Sequence, residues 1–243
     1  MSIQAELSPV CILAGGLGSR LGEAVSTTPK PLIEVAGEPF LFHQLRLLKD
    51  YGARRVVICV GYLGEQIEAT VGPDRFDLEI EFLHDSPGLD GTAGAVRAAL
   101  PLLGEVFHVL YGDTYLRIDY QDVERTFRSS DAPALMTVLR NEGRWDTSNA
   151  LFDGTMVVAY DKTNPTPQMS WIDYGLAVLS PEALDVVGAD EPDLAVFYRA
   201  LAAEGRLAGY EATERFYEIG TQSALADARR FLEHDDKSRR DRD

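Results

Sequence analysis

Two cysteines and four histidines in 243 residues are too few for a disulfide framework, and His43, His84 and His108 show no metal-ligand spacing and read as structural. Cys11 and Cys59 lie in apolar, strand-like runs and read as buried free thiols. Basic residues are scarce: 23 Lys and Arg stand against 39 Asp and Glu, a formal net charge of −16. A phosphate backbone is repelled by such a surface, which argues against a nucleic-acid partner. No apolar stretch reaches the roughly 18 residues of a membrane helix, and the first ten residues lack the basic start and apolar run of a signal peptide. No membrane partner and a cytoplasmic location are therefore expected. Two phosphate-binding fingerprints are also missing. G-x-G-x-x-G would need a glycine where Leu21 stands, Gly22 arriving one place late, and no lysine follows a glycine at Walker A spacing.

The chain is 45% hydrophobic and 26% charged, enough for one globular domain over residues 1–232, with a charged tail, 233–243, expected to fray. Strands are predicted at Val10 to Ala14, Arg55 to Val60, Leu78 to Leu83 and Val106 to Tyr111, and helices over Pro39 to Tyr51, Glu65 to Val71 and Ala93 to Leu103. Continuous β-branched runs such as Arg55 to Val60 suit strands covered on both faces. The alternation predicts an α/β fold, a three-layer sandwich around a Rossmann-like, mixed but mostly parallel sheet. After about residue 120 the rhythm changes. A helix at Asp122 to Ser129 precedes strands at Ala134 to Arg140, Ala150 to Phe152, Met156 to Tyr160 and Leu176 to Leu179, then helices at Pro181 to Val187, Leu194 to Glu204 and Ser223 to Leu232. Residues 9–120 thus form one half of the domain and residues 121–222 another.

The strongest local pattern is Leu13-Ala14-Gly15-Gly16-Leu17-Gly18-Ser19-Arg20-Leu21, followed by Thr28-Pro29-Lys30-Pro31-Leu32. A glycine-rich turn after a strand can bring backbone N–H groups against phosphate oxygens, and Arg20 and Lys30 add two positive charges. Taken alone, Gly-Gly-x-Gly is equally a tight turn without a ligand. With the arginine and the rigid Pro-Lys-Pro, positions 13–21 and 29–32 resemble the hallmark of the sugar-phosphate nucleotidyltransferases, L-A-G-G-x-G-[ST]-R-L followed by P-K-P-[LM], and the resemblance extends over approximately residues 9–232. It implies the nucleotide-diphospho-sugar transferase fold, a nucleoside triphosphate and a sugar 1-phosphate as partners, and Mg²⁺. Leu13, Ala14, Gly15, Gly16, Gly18 and Ser19 would cradle the nucleotide, Arg20 the leaving pyrophosphate, and Lys30 the α-phosphate.

Asp113, in Tyr111-Gly112-Asp113-Thr114, follows a buried strand, where a carboxylate faces the crevice at the strand ends and suits Mg²⁺. The resemblance assigns it that metal, and Gly112 to the sugar site. The family's second metal carboxylate is an aspartate before x-Gly-Thr, and here Glu218 stands in that place. Lys162, in Tyr160-Asp161-Lys162-Thr163, matches the lysine that relatives use on the acceptor's phosphate. Asp90-Gly91-Thr92-Ala93-Gly94-Ala95 resembles the base loop of guanylyltransferases, with Gly91 and Thr92 at the nucleotide and Thr92 near a helix N-cap. Asp85 could accept from guanine N1–H and N2–H₂. Asp173 and Gly175, in Trp171-Ile172-Asp173-Tyr174-Gly175, fall where relatives read Asn-Ala-Gly and are assigned to sugar hydroxyls. Trp145 and Trp171 read as core. The expected activity is nucleotidyl transfer from GTP to a manno-configured hexose or heptose 1-phosphate. The alternatives are another base, another phosphorylated acceptor, or a non-catalytic nucleotide-sugar sensor, and a homo-oligomer is compatible with all of them.

Overall fold

The structure is a computed structural model that describes residues 6–16, 27–85, 91–188 and 190–240, with side chains up to residue 235 in the last helix. The elements in the first half are β1 (Val10–Leu13), β2 (Glu34–Val35), β3 (Glu38–Pro39), α1 (Phe40–Asp50), β4 (Arg55–Val60), α2 (Gly64–Val71), β5 (Glu79–His84), α3 (Gly91–Leu103) and β6 (Phe107–Tyr111). In the second half come β7 (Thr114–Tyr115), α4 (Tyr120–Ser129), β8 (Ala134–Arg140), β9 (Ala150–Phe152), β10 (Val157–Tyr160), β11 (Trp171–Leu179), α5 (Leu194–Ala203), β12 (Leu207–Ala212), β13 (Tyr217–Glu218) and α6 (Gln222–Arg240).

Among the described residues, nine strands form one sheet with the path β10-β9-β11-β6-β1-β4-β5, and β8 pairs with β11 and carries β12. The strands β6, β1, β4 and β5 are mutually parallel, whereas β11 runs antiparallel to β6. Side chains alternate across the sheet as the pleat requires. Val10, Ile12, Val56, Ile58 and Val60 join one buried cluster with residues of α1, α2, α4 and α6. Cys11, Val57 and Cys59 join a second with α3 and α5. Those two clusters are the interlayer cores of the sandwich.

The chain passes from β1 through α1 to β4 and β5 on one side, then returns through α3 to β6 on the other side of β1. The direction of winding reverses between β1 and β6, so a crevice opens at their carboxyl ends, where open α/β sheets bind ligands.

Three expectations are corrected, and strand β12 was not anticipated. The terminal helix does not end at Leu232 but continues to Arg240, through most of the tail expected to fray. Asp227 pairs with Arg215 and Arg230, Tyr217 stacks on Phe231, and Arg117 reaches Asp235, so the charged turns have partners. The helix expected at Pro181 to Val187 is a 3₁₀ turn, Pro181–Leu184. Strand β12 carries a glycine that masks its pattern: a Cβ on Gly209 would lie 2.3 Å from the Phe152 ring, so only glycine lets that ring cross the strand. Trp145 is 43% exposed rather than core, and the Arg215 guanidinium covers its ring at 4.2 Å. Trp171 does pack against the second cluster, and Cys11 and Cys59 are buried free thiols.

Candidate active site

A cleft of about 300 Å³ occupies the crevice. Ten residues singled out in the sequence line it: Leu13, Ala14, Gly15, Gly16, Lys30, Asp85, Gly91, Thr92, Gly112 and Asp113. Pro31, Cys59, Ala95 and Tyr111 complete the lining. Gly18, Ser19 and Arg20 lie outside the described residues, as do Leu17 and Asp90.

The cleft floor is backbone drawn tightly together. Ala14 N–H donates to the Cys59 carbonyl (2.8 Å) and Gly112 N–H to the Leu13 carbonyl (2.9 Å), which extends the β1–β4 and β1–β6 ladders past the strand ends. A Cβ on Gly112 would stand 3.0 Å from the Leu13 oxygen and 3.2 Å from Ala14 Cα. That approach brings Asp113 beside the Gly15–Gly16 turn.

Lys30 arrives from the other rim. Pro29 caps a 3₁₀ turn, Lys30–Leu32, that has Pro31 at its centre and is closed by Leu32 N–H to the Pro29 carbonyl (2.8 Å). The Lys30 ammonium meets Asp113 Oδ2 at 2.5 Å. Thr114 Oγ1 donates to Asp113 Oδ1 at 3.2 Å. Glu218 lies opposite Thr114 in the β13–β7 ladder, and Ile219 N–H donates to the Asp113 carbonyl. A Cβ on Gly220 would stand 3.5 Å from both Glu218 Oε2 and Lys30 Nζ. Lys30 and Asp113 line the cleft, whereas Glu218 does not line it but adjoins their contact beside Gly220. No group of three or more His, Cys, Asp or Glu among the described residues could hold a metal. The Asp113–Glu218 pair matches the one or two carboxylates with which Mg²⁺ is held when substrate phosphates complete its shell.

Gln44 was not singled out in the sequence. It is 1% exposed, and its Nε2 donates to the carbonyls of Tyr111 (2.9 Å) and Thr114 (2.7 Å). One amide thus ties both ends of the Gly112-Asp113 turn to α1. The available signal was its position: Gln44 lies three and four residues from Leu41, Phe40, Leu47 and Leu48, on the apolar face of the helix.

At the opposite wall, the Asp85 carboxylate lies against Gly61, where a Cβ would come within 2.3 Å of Oδ2. Thr92 is the second residue of α3, near its N-terminus as expected, and its Oγ1 accepts from Leu194 N–H (2.9 Å) at the start of α5. Gly91 has φ +71°, and a Cβ there would stand 2.4 Å from the Pro192 oxygen. The second half of the domain thereby holds the start of α3, which borders the cleft.

Lys162, Asp173 and Gly175 do not line the cleft but adjoin it through Tyr111, over whose ring the Lys162 ammonium sits at 5.4 Å. Gly175, at φ +96°, lies in the register shift of β11 between Asp173 and Ala177. Such a bulge re-aims side chains. Asp173 accepts from Gly175 N–H (2.9 Å), Tyr160 OH (3.0 Å) and Lys162 (3.2 Å). The histidines serve structure: His43 contacts the Val35 carbonyl, His84 pairs with Glu68, and His108 is buried.

A family model described as a MobA-like NTP transferase domain matches residues 10–235. The chain is 29% identical over 216 residues to mannose-1-phosphate guanylyltransferase catalytic subunit beta of Drosophila pseudoobscura pseudoobscura, a match covering 86% of this chain and 58% of that protein. It is 30% identical over 226 residues to N-acetylmuramate alpha-1-phosphate uridylyltransferase of Neisseria meningitidis serogroup B, covering 89% of this chain and 95% of the other. Its fold superposes with TM-score 0.82 and 18% identity on a Bacillus anthracis crystal structure, that of a candidate glucose-1-phosphate thymidylyltransferase with a sucrose, over 93% and 95% of the two chains.

Proposed function

The chain belongs to the MobA-like NTP transferase domain family, and from that premise we propose that it transfers a nucleotidyl group from a nucleoside triphosphate to a sugar 1-phosphate. The observation that carries this is the meeting of Lys30 and Asp113 at the crevice, across from the Gly15–Gly16 turn. In the reaction, an oxygen of the acceptor's phosphate attacks the α-phosphorus. The new P–O bond forms as the bond from the α-phosphorus to its bridging oxygen breaks, and pyrophosphate departs. Such transfers need in-line positioning and charge neutralisation rather than a covalent intermediate.

The backbone of Leu13, Ala14, Gly15 and Gly16 binds the triphosphate, and the motif extends this role to Gly18 and Ser19, with Arg20 at the leaving pyrophosphate. Lys30, released from Asp113, neutralises the charge that builds on the α-phosphate. Asp113 and Glu218 would hold Mg²⁺, which when bound supplies charge neutralisation to the triphosphate. Lys162 takes the acceptor's phosphate, and Gly112, Asp173 and Gly175 border its organic part. The preferred pair is GTP with a manno-configured hexose or heptose 1-phosphate. The relatives' names carry guanylyl, uridylyl and thymidylyl groups, so the guanine preference rests on Asp85, a carboxylate able to accept from both N–H donors of that base, with Gly91 and Thr92 framing the same wall.

The test is pyrophosphate release with GTP, CTP, UTP and dTTP, each crossed with a panel of sugar 1-phosphates. GTP is expected to give the highest kcat/KM. Turnover confined to another triphosphate overturns the guanine preference, and no release with any combination overturns transfer to a sugar 1-phosphate.

A further inference from the structure

The Lys162 ammonium occupies a cradle that the rest of the site does not explain. It lies 3.2 Å from Asp173 Oδ2, 5.4 Å from the centroid of the Tyr111 ring and 5.9 Å from that of Tyr160. Aromatic faces backed by a carboxylate attract alkylammonium groups, the more strongly the less water is present. The two partners differ in freedom. The Asp173 side chain is 7% exposed, whereas that of Lys162 is 43% exposed at the end of a flexible stem.

If Lys162 turns to an acceptor phosphate, Asp173 keeps, among the described residues, only two neutral donors, Tyr160 OH and Gly175 N–H. A buried carboxylate stripped of its counter-charge is costly. The nearby Asp161 is matched by Arg199 at 3.6 Å, whereas Asp173 depends on Lys162.

We infer that the acceptor itself carries an ammonium group: its phosphate draws Lys162 away, and its own cation settles over Tyr111 and Tyr160 against Asp173. The acceptor class is then a phosphorylated amine, either an amino sugar 1-phosphate or a short aminoalkyl phosphate. This inference rests on the nucleotidyl-transfer reading of the same site.

Matched acceptors test it with the intact protein and the triphosphate it prefers. Mannosamine 1-phosphate is compared with mannose 1-phosphate and with the N-acetylated amine, and O-phosphoethanolamine with ethyl phosphate. The free amine is expected to have at least a ~10-fold higher kcat/KM in one series, and the series in which it does so identifies the source. Asp173→Asn is expected to bring that ratio close to one, and a loss of rate that leaves the ratio intact would overturn the role of Asp173. Equal or better turnover of the neutral member in both series overturns the inference while leaving nucleotidyl transfer standing. No turnover with any phosphorylated acceptor overturns both.

Discussion

Gly112 is a glycine because two strand ends meet there: a side chain would press on the Leu13 carbonyl and on Ala14 Cα, both backbone and unable to rotate aside. Gly112→Ala is expected to cost about 1–3 kcal/mol through forced separation of β1 and β6. For a domain of this size that is a fall in Tm of roughly 2–4 °C per kcal/mol, measurable by calorimetry. Pyrophosphate release should drop with it, and an unchanged rate would mean that the turn's spacing does not matter. Asp113→Asn separates charge from shape. It keeps the side chain's size but removes the anion facing Lys30, so kcat is expected to fall at least ~100-fold while the melting curve stays near that of the parent. Both residues were legible in the sequence, since a Gly-Asp after a buried strand is a local pattern. The Lys30–Asp113 contact was not, because 83 positions separate the two.

At the scale of elements, α1 carries more than its apolar stripe. Gln44 sends both amide hydrogens to the carbonyls that bracket Asp113, so the helix fixes the height of the turn above the sheet. Gln44→Leu fills the same space without donating and takes one hydrogen bond from each carbonyl, a loss of about 0.5–1.5 kcal/mol for each. The Mg²⁺ concentration for half-maximal rate is expected to rise several-fold, read from a metal titration of the initial rate. A variant that melts lower but keeps its metal titration would assign Gln44 to stability alone. The other joint between elements is Thr92, whose hydroxyl accepts from Leu194 N–H and ties α3 to α5. Most strands and helices were legible from periodicity, and Arg55–Val60 and Ala134–Arg140 agree to the residue. Strand β12 and the reach of α6 were not, because a glycine under a Phe152 ring and ion pairs to Arg215 and Arg117 are tertiary facts.

For the molecule as a whole, acid stability turns on a buried pair far along β6 from the cleft. His108 is fully buried, and burial lowers its pKa to about 4, against the opposing pull of Glu124 at 3.9 Å. Glu124 also accepts from Ser8 and Arg128, and its pKa is lowered. The histidine's folded pKa lies below its unfolded value of 6.5, so the unfolded chain takes up protons first and stability is lost as pH falls from about 6.5 to about 4. Glu124, its pKa lowered from 4.5, likewise loses its contribution as pH falls below that value. Tm is expected to drop on acidification from pH 7 to pH 5 in calorimetric scans, and His108→Gln should flatten the slope; an equal slope in the variant would place the titration elsewhere. No helix among the described residues is long and apolar enough to cross a membrane. The sequence by itself determined the layered α/β architecture and the make-up of the Gly15–Gly16 turn and of the Lys30 turn, because strand periodicity, glycine placement and Pro-Lys-Pro act over a few neighbouring residues. Only the tertiary structure decided that Lys30 lies on Asp113, that Gln44 braces the turn, and that the Lys162 ammonium rests on Tyr111 and Asp173. Those contacts depend on strand order and on the reversal between β1 and β6, which bring distant segments together and leave no mark in any local pattern.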